Sequence, residues 1–229
     1  MSEQTERLKR QAAEHAATFI EAGMVVGLGT GSTAILMVGR LAERLRTGQI
    51  HNVVCIATSK QTETAARKLA IPMTTLEEHP VVDLTIDGAD EIDPHLNALK
   101  GGGGALLREK IVAQASRRLM IVVDESKPAP VLGTKWALPV EVIPFGWGTQ
   151  RVFLEELGAK VTVRAGSDGH PFQTDQGNMI LDCNFGPIIQ LAELNAQLNQ
   201  RVGIVEHGLF LGLITDLIVA GADGLQHYQ

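Results

Sequence analysis

Residues 3–21 space their apolar side chains at helical intervals and close at Gly23, and Met24-Val25-Val26-Gly27-Leu28 follows as an uninterrupted apolar run. The first pattern predicts an amphipathic helix and the second a buried strand. The alternation continues with a helix over Ser32–Arg46, a strand over Asn52–Ala57 and a helix over Gln61–Leu69. A strand over Val81–Ile86, a helix over 105–116 and a strand over Leu119–Val123 complete this part. Near-continuous apolar strands separated by helices predict a parallel sheet covered on both faces. In such sheets ligands bind beyond the carboxyl ends of the strands, so the loops there carry the chemistry.

After Pro128-Ala129-Pro130 the rhythm changes. Strand (Leu138–Ile143), helix (Gln150–Leu157), strand (Ala159–Arg164), strand (Asn178–Cys183), helix (Pro187–Leu198) and strand (Arg201–Val205) follow in turn. That order is the ferredoxin-like β-α-β-β-α-β pattern. Asp216–Ala220 is a last apolar strand that returns to the first sheet. The expected fold class is therefore α/β, a Rossmann-like parallel sheet domain of residues 1–131 and 206–229. A ferredoxin-like α+β lobe of residues 132–205 is inserted in it.

Bulk composition narrows the function. At 229 residues, 45% hydrophobic and 20% charged, the chain has the profile of an ordinary globular protein. Its net charge of −6 argues against nucleic acid as a partner, because phosphate backbones require a basic surface. Cys55 and Cys183 sit in apolar runs and are expected to be buried, belonging to neither a disulfide framework nor a metal site. The most apolar segment, Leu209–Ala220, is short and interrupted by Asp216, so no membrane span is expected. The opening Met1-Ser2-Glu3-Gln4-Thr5-Glu6-Arg7 is too charged for a secretory signal, and a cytoplasmic protein is expected.

Four loops stand at predicted strand ends. In Gly27-Leu28-Gly29-Thr30-Gly31-Ser32-Thr33 the glycines precede a helix whose first amides and dipole favour an anion. The spacing is G-x-G-x-G rather than the dinucleotide G-x-G-x-x-G, and no Gly-Lys-Ser/Thr follows. A single phosphate fits this loop better than a pyrophosphate; the bland alternative is a tight turn with Ser32 as cap. The second loop, Asp87-Gly88-Ala89-Asp90-Glu91-Ile92-Asp93, crowds carboxylates without the spacing of a calcium loop. Glu91 and Asp93 read as surface acids that aid solubility, whereas Asp87 and Asp90 stand where hydroxyl groups of a sugar could donate to them.

The third loop, Lys100-Gly101-Gly102-Gly103-Gly104, leads into Ala105-Leu106-Leu107-Arg108-Glu109-Lys110. A linker would explain the glycines alone, but charges flank them and a helix starts at once. On that helix Glu109 falls among Ala105, Leu106, Val112, Ala113 and Ser116, with Leu107 and Ile111 opposite and Arg108 and Lys110 at the sides. Two apolar faces predict a sandwiched helix. A carboxylate confined there would have a raised pKa, which suits a general base, with Lys100 as its neighbour. The fourth loop is Asp124-Glu125-Ser126-Lys127.

Taken together, these segments resemble the ribose-5-phosphate isomerases of the A type. The matching stretches are GLGTGST (27–33), DGADEID (87–93), KGGGGALLREK (100–110) and DESK (124–127). LPVEVIP (138–144), DQGNMILD (175–182) and GIVEHGLF (203–210) extend the likeness over nearly the whole chain. The resemblance implies interconversion of D-ribose 5-phosphate and D-ribulose 5-phosphate, without a cofactor or metal, in a homodimer or homotetramer. It implies that Thr30, Gly31, Ser32 and Thr33 hold the phosphate, with Lys9 of the first helix reaching it as well. Asp87 and Asp90, with Gly88 and Ala89 between them, would face the sugar and assist ring opening. Lys100 and the amides of Gly101, Gly102 and Gly103 would stabilise an enediolate oxygen, Glu109 would carry the proton, and Lys127 would contact the substrate. No role is implied for Gly104, where members vary.

A metal-dependent sugar isomerase would need a ligand cluster that the acidic loop does not spell out. A sugar-phosphate sensor would need a basic DNA-binding segment, which this acidic chain lacks, and would have no use for a buried base.

Overall fold

A computed structural model of the chain describes residues 3–229; Met1 and Ser2, which open the charged N-terminal segment, lie outside the described residues. In chain order the elements of the first half are α1 (Glu3–Ala17), β1 (Val25–Leu28), α2 (Ser32–Arg46), β2 (Val54–Ala57), α3 (Lys60–Lys68), β3 (Leu84–Asp87), β4 (Glu91–Ile92), β5 (Ala98–Leu99), α4 (Leu106–Gln114) and β6 (Leu119–Asp124). Those of the second half are β7 (Leu138–Val142), α5 (Trp147–Glu156), β8 (Lys160–Val163), β9 (Met179–Asn184), α6 (Leu191–Gln200), β10 (Ile204–His207), β11 (Leu209–Phe210), β12 (Asp216–Gly221) and β13 (Gly224–Tyr228). They divide into two compact units, one of residues up to Ala89 with Arg108–Lys127 and Gly212–Gln229, the other of Asp90–Leu107 with Pro128–Leu211.

The first unit is built on a six-stranded sheet of order β13-β12-β6-β3-β1-β2. All pairs are parallel except β12 with the edge strand β13. Every residue of β3 and β6 is buried, as a sheet covered on both faces requires. The alanines Ala12, Ala13 and Ala16 of α1 and Met37, Val38 and Leu41 of α2 share one core with Val26, Leu28, Leu84, Ile86 and Met120. Strand order reverses between β1 and β3, which makes their carboxyl ends the topological switch point where ligands of such sheets bind.

In the second unit a four-stranded antiparallel sheet of order β10-β7-β9-β8 carries α5 and α6. Its outer strands are the second and fourth in chain order, the ferredoxin-like arrangement. A separate three-stranded antiparallel sheet joins β11, β5 and β4. The expected borders at 131/132 and 205/206 leave residues 90–107 with the first sheet, whereas their contacts place them here. Leu99 of β5 and Leu209 of β11 share the core of Leu138, Val140, Leu154, Leu181 and Leu198.

Candidate active site

In the first unit the loop after β1 enters α2 through Gly31, whose φ of 109° lies in the region that favours glycine. No side chain caps α2, so its first-turn amides are available at an exposed Gly31 and Ser32. Lys9, only 8% exposed, reaches this turn from α1 and donates to Ser32 Oγ at 2.9 Å. A lysine and a helix N-terminus thus converge on one spot, a combination suited to a phosphate. Thr33, on the same turn, is half-buried.

Thr30 faces the other way. Its Oγ1 lies within 2.8 Å of Thr58 Oγ1, 2.9 Å of Ser59 Oγ and 3.3 Å of Thr62 Oγ1. Thr62 in turn donates to the carbonyl of Gly29 at 3.0 Å, and Thr58 to that of Leu28 at 3.1 Å. These buried hydroxyls fasten the glycine loop to the end of β2 and the start of α3. The only sequence signal for them is the Thr58-Ser59 pair after an apolar strand. The Thr30 amide donates to Asp87 Oδ1 at 3.0 Å, and the Gly88 amide to the same oxygen at 2.8 Å. Asp87, 2% exposed at the end of β3, is therefore brought together with the loop after β1, across the switch point.

Glu109 is 4% exposed on α4, and Val112 and Ala113 of the same face are buried as well. The opposite face differs from expectation: Ile111 is 45% exposed, so this helix is not sandwiched on both sides, and Lys110 is buried rather than lateral. At the end of β6, Asp124 Oδ1 accepts from the amide of Ser126 at 3.0 Å and from its hydroxyl, a local turn that presents a half-buried Lys127.

In the second unit Lys100 follows β5 and is 2% exposed, its amide donating to Gly208 O at 2.9 Å and its Nζ 5.4 Å from the centre of the Phe210 ring. The Gly102 amide donates to Asp90 Oδ2 at 2.7 Å. Asp90 and the glycine loop are thus brought together, with that amide donating to a carboxyl oxygen. Gly102 and Gly103 are exposed, whereas Gly101 and Gly104 are buried. Gly88 and Ala89, half-buried at the end of a segment of the first unit, precede Asp90 in the chain.

The reading of Glu91 and Asp93 as surface acids is overturned. Glu91 is 0% exposed in β4, and its Oε1 accepts from the amides of Lys135 and Trp136. Asp93 accepts from the amides of His95 and Asn97 at 2.9 and 2.8 Å, closing the turn between β4 and β5. Both are structural acceptors. Among the described residues, no group of three or more histidine, cysteine, aspartate or glutamate side chains is placed to hold a metal ion.

Sequence reasoning also missed Arg164 and Asp182. Arg164 donates from Nη1 to the carbonyls of Gly101 at 2.8 Å and Gly102 at 3.1 Å, while Nε and Nη2 pair with Asp182. A charged residue inside the apolar run Met179–Asn184 was the available signal.

Comparison with known proteins identifies the family. The sequence model of the family described as "Ribose 5-phosphate isomerase A (phosphoriboisomerase A)" matches residues 54–224. The chain is 56% identical to ribose-5-phosphate isomerase A of Chloroflexus aurantiacus over 97% of its length and 93% of the relative's. It is 54% identical to that of Desulfatibacillum aliphaticivorans, covering 97% of this chain and 96% of the relative. Among solved structures, the ribose 5-phosphate isomerase of Plasmodium falciparum superposes with a TM-score of 0.95 at 40% identity, over 98% of each chain. A D-ribose-5-phosphate isomerase in complex with phospho-erythronic acid superposes with a TM-score of 0.96 at 36% identity, over 100% of both chains. The chain belongs to the ribose-5-phosphate isomerase A family: it is an α/β isomerase of ribose 5-phosphate and ribulose 5-phosphate in the pentose phosphate pathway.

Proposed function

We propose that this isomerisation proceeds by proton transfer through an enediolate, with Glu109 as the base. The Glu109 carboxylate removes the C2 proton of the open-chain aldose, and the C2–H electrons form the C1–C2 double bond while the carbonyl electrons settle on O1. Glu109 then returns its proton to C1, which takes the electrons of the C1–C2 double bond, while the O2 proton passes to O1 and the O2–H electrons close the C2 carbonyl, giving the ketose. Lys100 and the amides of Gly101, Gly102 and Gly103 hold the developing oxyanion, where fixed donors act most strongly. Asp87 and Asp90 accept from sugar hydroxyls beside Gly88 and Ala89, and assist ring opening. Gly31, Ser32, Thr33 and Lys9 take the phosphate, Thr30 fixes their loop, and Lys127 contacts the substrate.

The observation that carries this reading is the burial of Glu109 to 4% exposure on the helix that follows the glycine loop. Ionisable side chains held away from water concentrate at reactive sites, because their surroundings set their proton affinity. Glu109→Gln keeps the shape and removes the base. Its kcat is expected to fall by about 10²-fold or more, with binding of ribitol 5-phosphate retained. Near-normal turnover in steady-state kinetics would remove Glu109 from this role.

The reading extends to a cytoplasmic homodimer or homotetramer. A phosphorylated pentose carries charge that a bilayer opposes, which supports a site of action where the phosphate is made. Phe145 at 89%, Val202 at 90% and Ile143 at 38% exposure are large apolar side chains that a second copy would cover. Ile143 is joined to the Val202 turn by a hydrogen bond from its backbone N–H to Gly203 O at 3.1 Å. Sedimentation as a monomer at assay concentration would reject this part.

A further inference from the structure

We infer that Arg164 is a positioning residue for the oxyanion loop: it grips two successive carbonyls and so turns the next two amides toward the reacting oxygen. The inference rests on the reading above that the glycine amides face an enediolate. Nη1 of Arg164 accepts nothing and donates to both Gly101 O and Gly102 O, at 2.8 and 3.1 Å. In a trans peptide the carbonyl and the following N–H point to opposite sides of one rigid plane. Fixing the Gly101 carbonyl therefore fixes the Gly102 N–H away from Arg164, and fixing the Gly102 carbonyl does the same for the Gly103 N–H. Adjacent amides turned to one side form the concave donor pair that suits an anion. In this structure the Gly102 amide donates to Asp90 Oδ2 at 2.7 Å, a carboxyl oxygen that the reacting oxygen would replace when substrate is bound.

The grip is itself braced. Arg164 follows β8 and its amide pairs with Ile180 O on β9 at 2.9 Å. On β9, Asp182 stands opposite Thr162, one step diagonal to Arg164 and on the same face of the sheet. The carboxylate takes Nε and Nη2 in a two-pronged pair, the geometry that fixes a guanidinium plane most firmly. One end of the guanidinium is thus committed to the sheet and the other to the loop. Asp182 also balances the charge of Arg164, so the effect on the loop is orientation rather than added positive potential. A flexible glycine run would otherwise sample many peptide orientations.

The test uses Arg164→Gln in the full chain, with two ligands that ask different questions. Phospho-erythronic acid presents planar carboxylate oxygens as an enediolate does, whereas ribitol 5-phosphate has the phosphate and hydroxyls but no such oxygens. We expect kcat to fall about 10- to 100-fold with KM changed less than about threefold, the pattern of an interaction made in the transition state. Affinity for phospho-erythronic acid, read by calorimetry, should fall by a similar factor while that for ribitol 5-phosphate stays within about twofold. Should this variant fail to fold, Asp182→Ala keeps the arginine but loosens it, and a smaller loss of the same selectivity is expected. An unchanged kcat in either variant overturns the inference, and so does equal weakening of both ligands, which would mark a damaged lobe and leave the oxyanion reading standing. Neither ligand requires proton transfer, so the outcome does not depend on the role of Glu109. Failure of the unaltered protein to prefer phospho-erythronic acid would instead remove the oxyanion reading itself, and this inference with it.

Discussion

Glu141 shows what a single buried acid costs and does. It sits on β7 at 0% exposure, with Oε1 accepting from Thr174 Oγ1 at 2.8 Å and Asn178 Nδ2 at 2.9 Å. Oε2 is buried with no hydrogen-bond partner. Burial raises the pKa of this carboxyl above its ordinary value, the bonds from Asn178 and Thr174 oppose the rise, and Glu206 and Asp175 add to it. A carboxyl whose pKa is raised in the folded state contributes its stability fully below its unfolded value of about 4.3, and loses it as pH rises through the folded value. Glu141→Gln, which cannot ionise, should therefore gain in melting temperature relative to the unaltered protein as pH is raised from about 4 to 8. A difference that stays constant across that range would contradict the assignment. Nothing in the sequence distinguishes this acid, or Glu91, from a solvated one. The partners that justify their burial lie 33 to 45 residues away along the chain, in Thr174, Asn178, Lys135 and Trp136.

At the level of elements, the glycine run shows where sequence reading stops and packing begins. Gly104 had no assigned role, yet its φ is +81° and an added Cβ would stand 2.5 Å from the Phe172 ring. Its amide closes the turn onto Gly101 O at 2.9 Å, and the Phe172 amide binds Arg164 O at 2.8 Å, so the same hairpin that carries Arg164 presses on the loop. Gly104→Ala should cost about 1–2 kcal/mol for the left-handed backbone alone, with a further loss from the clash, and should lower kcat as the loop shifts. Adding Phe172→Ala should relieve the clash but not the backbone strain, so thermal denaturation should show only part of the loss recovered. A Gly104→Ala protein that melts and turns over normally would refute this. Long periodic elements were legible: α2 runs over Ser32–Arg46 as its pattern and flanking glycine predict. The strands β4, β5 and β11 were not, because two residues carry no alternation to read. Nor was β13, an edge strand exposed at all five positions, whose pairing with β12 is decided by backbone rather than side chains. The four strand-end loops stood out because glycine and charge at the end of an apolar run serve no packing purpose, whereas Arg164 and Asp182 act on one of them from another sheet.

Across the whole molecule, one buried acid in each unit, Asp216 in the first and Glu141 in the second, responds to pH with opposite sign. Asp216 opens β12 in the first unit at 1% exposure. It accepts from Arg118 Nη2 at 2.8 Å, Thr215 Oγ1 at 2.6 Å and Gln229 Nε2 at 3.1 Å, with His227 Nε2 at 3.0 Å. Burial pushes its pKa up, but the bonds from Arg118, Thr215, Gln229 and His227 outweigh it and hold the carboxyl well below the usual carboxylate range. These contacts tie the start of β6 to β12 and to the end of β13. A depressed folded pKa means stability that is present above the unfolded value of about 3.9 and lost as pH falls through the folded one. Asp216→Asn should therefore lower stability by on the order of 1–3 kcal/mol at pH 7, with the deficit shrinking below about pH 4. Glu141 acts in the other direction, since its burden is relieved by protonation. On acidification from pH 7 toward 4, amides of β7 and β9 should gain hydrogen-exchange protection relative to those of β6 and β12, and below about pH 4 the latter should lose theirs first. Native-state exchange resolved by peptide measures both trends, and parallel loss in the two units would show that neither acid governs its own sheet.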